Sequence, residues 1–145
     1  MAAIITFTTD FGSRDGYAGA MKGVVLSMAP EARLVDITHG VPAQDVNAGA
    51  VALAQAAPLY PAGAIHIAVV DPGVGGRQAD ILVEAGGSLY VGPDNGVLSL
   101  AARAPRRIWR IEAVGFRREP VSPTFHGRDV FAPTAARLAT GASPA

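Results

Sequence analysis

Residues 65–70 read Ile-His-Ile-Ala-Val-Val, an almost unbroken apolar run that ends abruptly at Asp71-Pro72-Gly73. A strand that is apolar on both sides must be covered on both sides, as happens where helices pack on each face of a parallel sheet. The rest of the chain supplies the partners. Ile4–Thr9 alternates β-branched and aromatic residues and stops at Asp10-Phe11-Gly12-Ser13, a strand followed by a turn. From Tyr17 to Met28, residues Tyr17, Met21, Val24, Val25 and Met28 share one helical face, and Pro30 ends the run. Arg33–Ile37 is a second short strand. Asp45 is placed to cap a helix that continues through Val51, Leu53 and Ala54 to Pro58.

Beyond the apolar run, Ile81–Glu84 and Leu89–Val91 read as strands around a Gly86-Gly87 turn, Val97–Arg103 as a short helix, and Arg107–Ile111 as a further strand. A last helix is expected from about Val130 to Ala139. Strands alternating with helices predict an α/β domain with a mainly parallel central sheet and helices on both faces, a three-layer arrangement. At 145 residues the chain is expected to form a single domain.

Lys plus Arg and Asp plus Glu both number 12, and a formal net charge of zero argues against a nucleic-acid surface. The chain has no cysteine, which removes disulfides, thiolate metal sites and cysteine nucleophiles. The opening Met-Ala-Ala-Ile-Ile-Thr-Phe lacks a basic stretch and a long apolar core, and no apolar run reaches membrane-spanning length. A soluble cytoplasmic protein that does not engage a membrane is the expectation.

Two acids share one structural context. Asp10 closes the first strand and Asp71 closes the apolar one, so both should line the rim where parallel sheets bind ligands. Singly, each reads as a turn-starting aspartate. Together, with glycine loops after both, they point to a site. After Asp71, Pro72 and Gly73 suit a tight turn, Gly75 and Gly76 permit close approach of backbone to a ligand, and Arg77 adds a permanent positive charge. The same loop also reads as a plain hairpin or a phosphate cradle. It lacks the third glycine of a dinucleotide fingerprint and the lysine of a triphosphate loop. Of three histidines, His66 reads as core, His39 as structural or rim-lining, and His126 lies in Thr124-Phe125-His126-Gly127-Arg128-Asp129, open to a ligand before a helix. On spacing alone His126 is as readily structural as functional. No histidine pair has helical metal-site spacing, so no metal is expected.

Five segments in order carry a resemblance: Thr8-Thr9-Asp10-Phe11-Gly12, Val35-Asp36-Ile37-Thr38-His39, Val69-Val70-Asp71-Pro72-Gly73-Val74-Gly75, Gly92-Pro93-Asp94-Asn95-Gly96, and Thr124-Phe125-His126-Gly127-Arg128-Asp129. They cover nearly the whole chain, and together they resemble the S-adenosyl-L-methionine hydroxide adenosyltransferases, relatives of the fluorinase and chlorinase enzymes.

The resemblance implies hydrolysis of S-adenosyl-L-methionine to adenosine and L-methionine, with that molecule as substrate and no cofactor. It implies that Asp71, Arg77 and His126 form a water-activating triad, which the halogenating relatives lack. Asp10 would hold the ribose hydroxyls, Phe11 would pack against the nucleoside, and Asp15 would lie near the methionine portion. The family loop usually has one residue more between aspartate and arginine, so the shorter loop here must still aim Arg77. Family members also carry a C-terminal β-rich domain that supplies most adenine contacts, and their sites form between subunits of a homotrimer. Residues 1–145 correspond to the N-terminal catalytic-type domain without that partner, and are expected to bind substrate weakly and turn over poorly alone. The competing expectations are a halogenase-like enzyme using chloride and a non-catalytic adenosine-binding module.

Overall fold

The computed structural model describes residues 2–144. Six strands, β1 (Ile4–Thr9), β2 (Arg33–Thr38), β3 (Ile65–Val69), β4 (Asp80–Ala85), β5 (Ser88–Pro93) and β6 (Arg106–Arg110), form one sheet in the order β2-β1-β3-β5-β4-β6. β2, β1, β3 and β5 pair in parallel, and β4 alone runs the other way, antiparallel to β5 and β6. The expected mainly parallel α/β sheet is the one observed.

Side-chain alternation along each strand divides the core in two. Ile5, Phe7, Ile67 and Val69 pack with Met21 and Val25 of helix α1 (Tyr17–Met28) and with Val130, Phe131 and Ala135 near the C-terminus. Ala68, Val70 and Val83 pack on the other side with Leu53 of helix α2 (Val46–Ala56) and with Val97 and Leu98. β3, buried at all five positions, lies between these layers, which is why its sequence shows no polar face. Asp45 caps α2 as expected, its side chain accepting the Ala48 N–H at 3.0 Å.

Two segments differ from their sequence reading. Residues 97–101 form consecutive turns rather than a helix. The Asn95 side chain accepts the Val97 N–H, Arg103 Nε takes the Leu100 carbonyl and Arg106 Nη1 takes that of Ala102. At the C-terminal end, helix α3 (Ala132–Ala139) is preceded by a π turn over Gly127–Phe131. Pro133 has no N–H to offer the Asp129 carbonyl, which instead accepts the Arg118 N–H at 2.8 Å.

His66 sits in the core as expected, fully buried, with Nδ1 2.7 Å from Thr6 Oγ1 and its ring in contact with those of Tyr60 and Tyr90. Burial pushes its pKa down to about 4. The unfolded chain therefore binds a proton that the folded chain refuses, and stability falls as pH drops from about 6.5 toward about 4, by roughly 3 kcal/mol over that window. Urea midpoints at about pH 7 and about pH 4.5 should show this loss, and His66→Gln should remove most of the difference. An unchanged difference would assign the loss to other groups.

Candidate active site

The chain leaves β1 toward β2 on one side and returns through α2 to β3 on the other, so β1 and β3 are adjacent strands with diverging connections. Their carboxyl ends form the crevice at which open α/β sheets bind ligands. Asp10 and Asp71 emerge there. They line one cavity of about 180 Å³ together with Phe11, Gln44, Phe125 and His126. That volume is below the roughly 300–1,000 Å³ of complete ligand pockets, a size suited to the reacting part of a larger molecule.

Asp10 is held from the α2 side. Its Oδ2 accepts the backbone N–H of Gln44 at 2.8 Å, and Gln44 adopts a left-handed φ of 63°. Phe11 is fixed at both ends: its N–H donates to Thr9 Oγ1 at 3.2 Å, and its ring packs against Tyr17 and Phe125. Thr9 Oγ1 also lies 2.7 Å from His39 Nδ1, while His39 Nε2 is 2.8 Å from Asp36, which Lys22 pairs at 2.6 Å. His39 is therefore structural: its ring braces the turn that carries Asp10 and Phe11, and its carbonyl accepts the Gly12 N–H.

Asp71 is held by a residue that its own loop returns, Gln78, whose Nε2 donates to Oδ1. The other oxygen, Oδ2, is buried without a partner among the described residues. Burial raises the Asp71 pKa above the ordinary carboxylate value; Gln78 and His126 oppose the shift, and repulsion from Asp80 and Asp10 adds to it. The rim thus concentrates negative charge, which favours a cationic ligand.

His126 arrives from a separate segment, and Asp129 secures that segment. Asp129, 1% exposed, accepts from Arg128 Nε and Nη2, Arg118 Nη1 and the Ser122 N–H, all within 3.0 Å. Its pKa is lowered, chiefly by the Arg128 hydrogen bonds. The two loops touch at Gly75, where φ is +76° and a Cβ would lie 2.2 Å from the Pro123 carbonyl oxygen. Only glycine permits that approach.

The structure therefore brings Asp10, Phe11, Asp71 and His126 to one cavity. Arg77 and Asp15 are exposed, Arg77 on the loop after β3 and Asp15 in the bend before α1, and neither lines the cavity. Gln44, Gln78 and Asp80 contribute to the site without a signal in the sequence that marked them. Gln44 acts through its backbone, and Gln78 and Asp80 matter only through what stands opposite them after folding.

An acid-rimmed crevice at the switch point of a parallel sheet, with a histidine brought in from a distant loop, is the place where open α/β domains bind ligands. The chain belongs to the family of the SAM hydroxide adenosyltransferase N-terminal domain, whose model matches residues 5–145. It is 51% identical over 144 residues to the (R)-S-adenosyl-L-methionine hydrolase of Salinispora arenicola, covering 95% of this chain and 54% of that protein. It is 26% identical over 163 residues to a fluorinase of Nocardia brasiliensis, covering 95% of this chain and 54% of the relative. The crystal structure of an uncharacterized conserved protein from Thermotoga maritima superposes with a TM-score of 0.90 at 35% identity, over 96% of this chain and 55% of that one. The chain spans about half the length of the curated relatives it matches.

Proposed function

We propose that this chain carries the reaction centre for hydrolysis of S-adenosyl-L-methionine to adenosine and L-methionine. The observation that carries the reading is the pairing, in one cavity, of an aspartate with a buried unpartnered oxygen and a histidine. The relatives that are about half identical bear the hydrolase name, whereas the fluorinase is far more distant.

The chemistry suits these groups. Water oxygen attacks the ribose C5′, the C5′–S bond breaks, and its electron pair remains on sulfur, giving neutral methionine. The leaving group needs no proton. What the protein must do is align a water behind the C5′–S bond and accept its proton. Asp71 Oδ2 orients that water, His126 takes the proton, and the carboxylate rim attracts the sulfonium. Asp10 accepts from the ribose hydroxyls and Phe11 covers the nucleoside. Arg77 and Asp15, both exposed, take part in this reading once their loops fold over the substrate, Arg77 toward the hydroxide and Asp15 toward the methionine portion.

The test is incubation of the chain with S-adenosyl-L-methionine in ¹⁸O-water, with and without chloride, followed by mass analysis. The expected result is ¹⁸O in the 5′-hydroxyl of adenosine, with equimolar methionine and no 5′-chloro product. A chlorinated nucleoside, or binding of the substrate with no product even when the chain is paired with the C-terminal domain of a hydrolase relative, would overturn the reading.

A further inference from the structure

Resting on that reading, we propose that Asp80 is the positioning residue for His126: it holds the imidazole by Nδ1 and leaves Nε2 as the nitrogen offered to the cavity. Asp80 reaches the site because β4 is the one strand that runs backwards. Its first residue lies level with the last residue of β5, Asp80 opposite Pro93, at the rim where β1 and β3 end. The backbone there is fixed, since the Asp80 carbonyl accepts the Ile111 N–H at 2.8 Å and the Ala79 carbonyl accepts that of Asp94 at 2.9 Å. Alternation puts the Asp80 side chain on the same face as Leu82, which belongs to the core beneath α1 and α3. That is the face on which His126 enters the π turn, its ring centroid 6.5 Å from that of Phe131.

Asp80 Oδ2 stands 2.9 Å from His126 Nδ1, and the two side chains are 11% and 15% exposed. The contact has ion-pair distance but does not meet hydrogen-bond geometry in the resting site, so the bond from Nδ1 forms on a small rotation of either side chain. Among the described residues it is the only polar side-chain contact either group makes. A carboxylate can only accept, so the neutral imidazole beside it carries its proton on Nδ1. Nε2 is then the unprotonated nitrogen, the form a general base requires. A carboxylate fixing a histidine tautomer in this way is a recurring device of proton-transfer sites. The two half-buried acids of the rim consequently serve different groups in this reading. Asp71, held by Gln78, faces the reacting water, and Asp80 faces the base.

The experiment uses ¹⁵N-labelled chain at a pH where the rings are neutral. Long-range ¹H–¹⁵N spectra report the tautomer of each of the three histidines. Wild-type His126 is expected to show a protonated Nδ1 with a downfield proton and an unprotonated Nε2. In Asp80→Ala the ring is expected to shift toward the Nε2–H form, with His39 and His66 signals unchanged as the measure of an intact fold. In Asp80→Asn, which keeps the shape, the Nδ1 proton is expected to move upfield. Hydrolysis by Asp80→Ala should fall about 10- to 100-fold in kcat with KM within about twofold, and Asp80→Asn should lose less. An Nδ1 proton unmoved in Asp80→Asn, or a wild-type ring protonated on Nε2, overturns the proposal. The spectra decide this even where no adenosine forms, which would sink the hydrolase reading instead.

Discussion

Asp71→Asn is expected to lower adenosine formation at least about 100-fold while raising the stability of the fold. The substitution keeps shape and volume, and the amide oxygen can still accept from Gln78 Nε2. What disappears is the charge on the oxygen that has no partner, replaced by an N–H₂ that cannot accept a hydrogen bond from water. The stability effect has the opposite sign for a clear reason. The Asp71 pKa is raised, first by burial and then by Asp80 and Asp10. A carboxyl that is harder to ionise in the fold than in the open chain costs stability as pH rises past its open-chain pKa, in full above its folded pKa, and a neutral amide removes that cost. Initial rates with ¹⁸O-water and the thermal midpoint measure the two effects separately. A purely structural aspartate would lose both together. A rate within about threefold of wild type would remove Asp71 from the chemistry.

Gly92→Ala is expected to cost about 3 kcal/mol and to lower the thermal midpoint by about 10 °C. A Cβ at this position would lie 2.5 Å from the Ala68 carbonyl oxygen and 3.3 Å from Leu98 Cδ2. The first of these is backbone of the neighbouring strand, so no rotamer change relieves it. β5 must move away from β3, and the pairing that continues from His66–Tyr90 to Ile67–Val91 opens at the end nearest the site. Circular dichroism melts of the variant measure the loss. Gly23→Ala is the matched control, because it lies in α1 with nothing within 4 Å and should be neutral or stabilising by up to about 1 kcal/mol. Equal midpoints for Gly92→Ala and wild type would mean that β5 has room at Gly92 for a methyl group beside the Ala68 carbonyl.

Much of this architecture is legible in the sequence. The two-sided apolar character of β3, the helical face of Met21 and Val25, the Asp45 cap and the burial of His66 all follow from residue type and local period. Asp10 and Asp71 are legible as rim residues because each closes the apolar run of a strand, and strand ends are local features. Two segments depart from expectation: residues 97–101 stay as turns, and Pro133, which offers no N–H to the Asp129 carbonyl, loosens the entry to the last helix.

Local pattern thus determined which residues are strand, which are core and that Asp10 and Asp71 reach the rim. Tertiary structure alone decided what each rim residue faces: Asp80 against His126, Gln78 against Asp71, the Gln44 N–H against Asp10, and Arg77 exposed. The reason is that propensity and apolar period are carried by residues a few positions apart. Which atoms meet across a cavity depends on strand order, the reversed direction of β4 and the closing of two loops on each other at a glycine, and no local stretch of chain contains those.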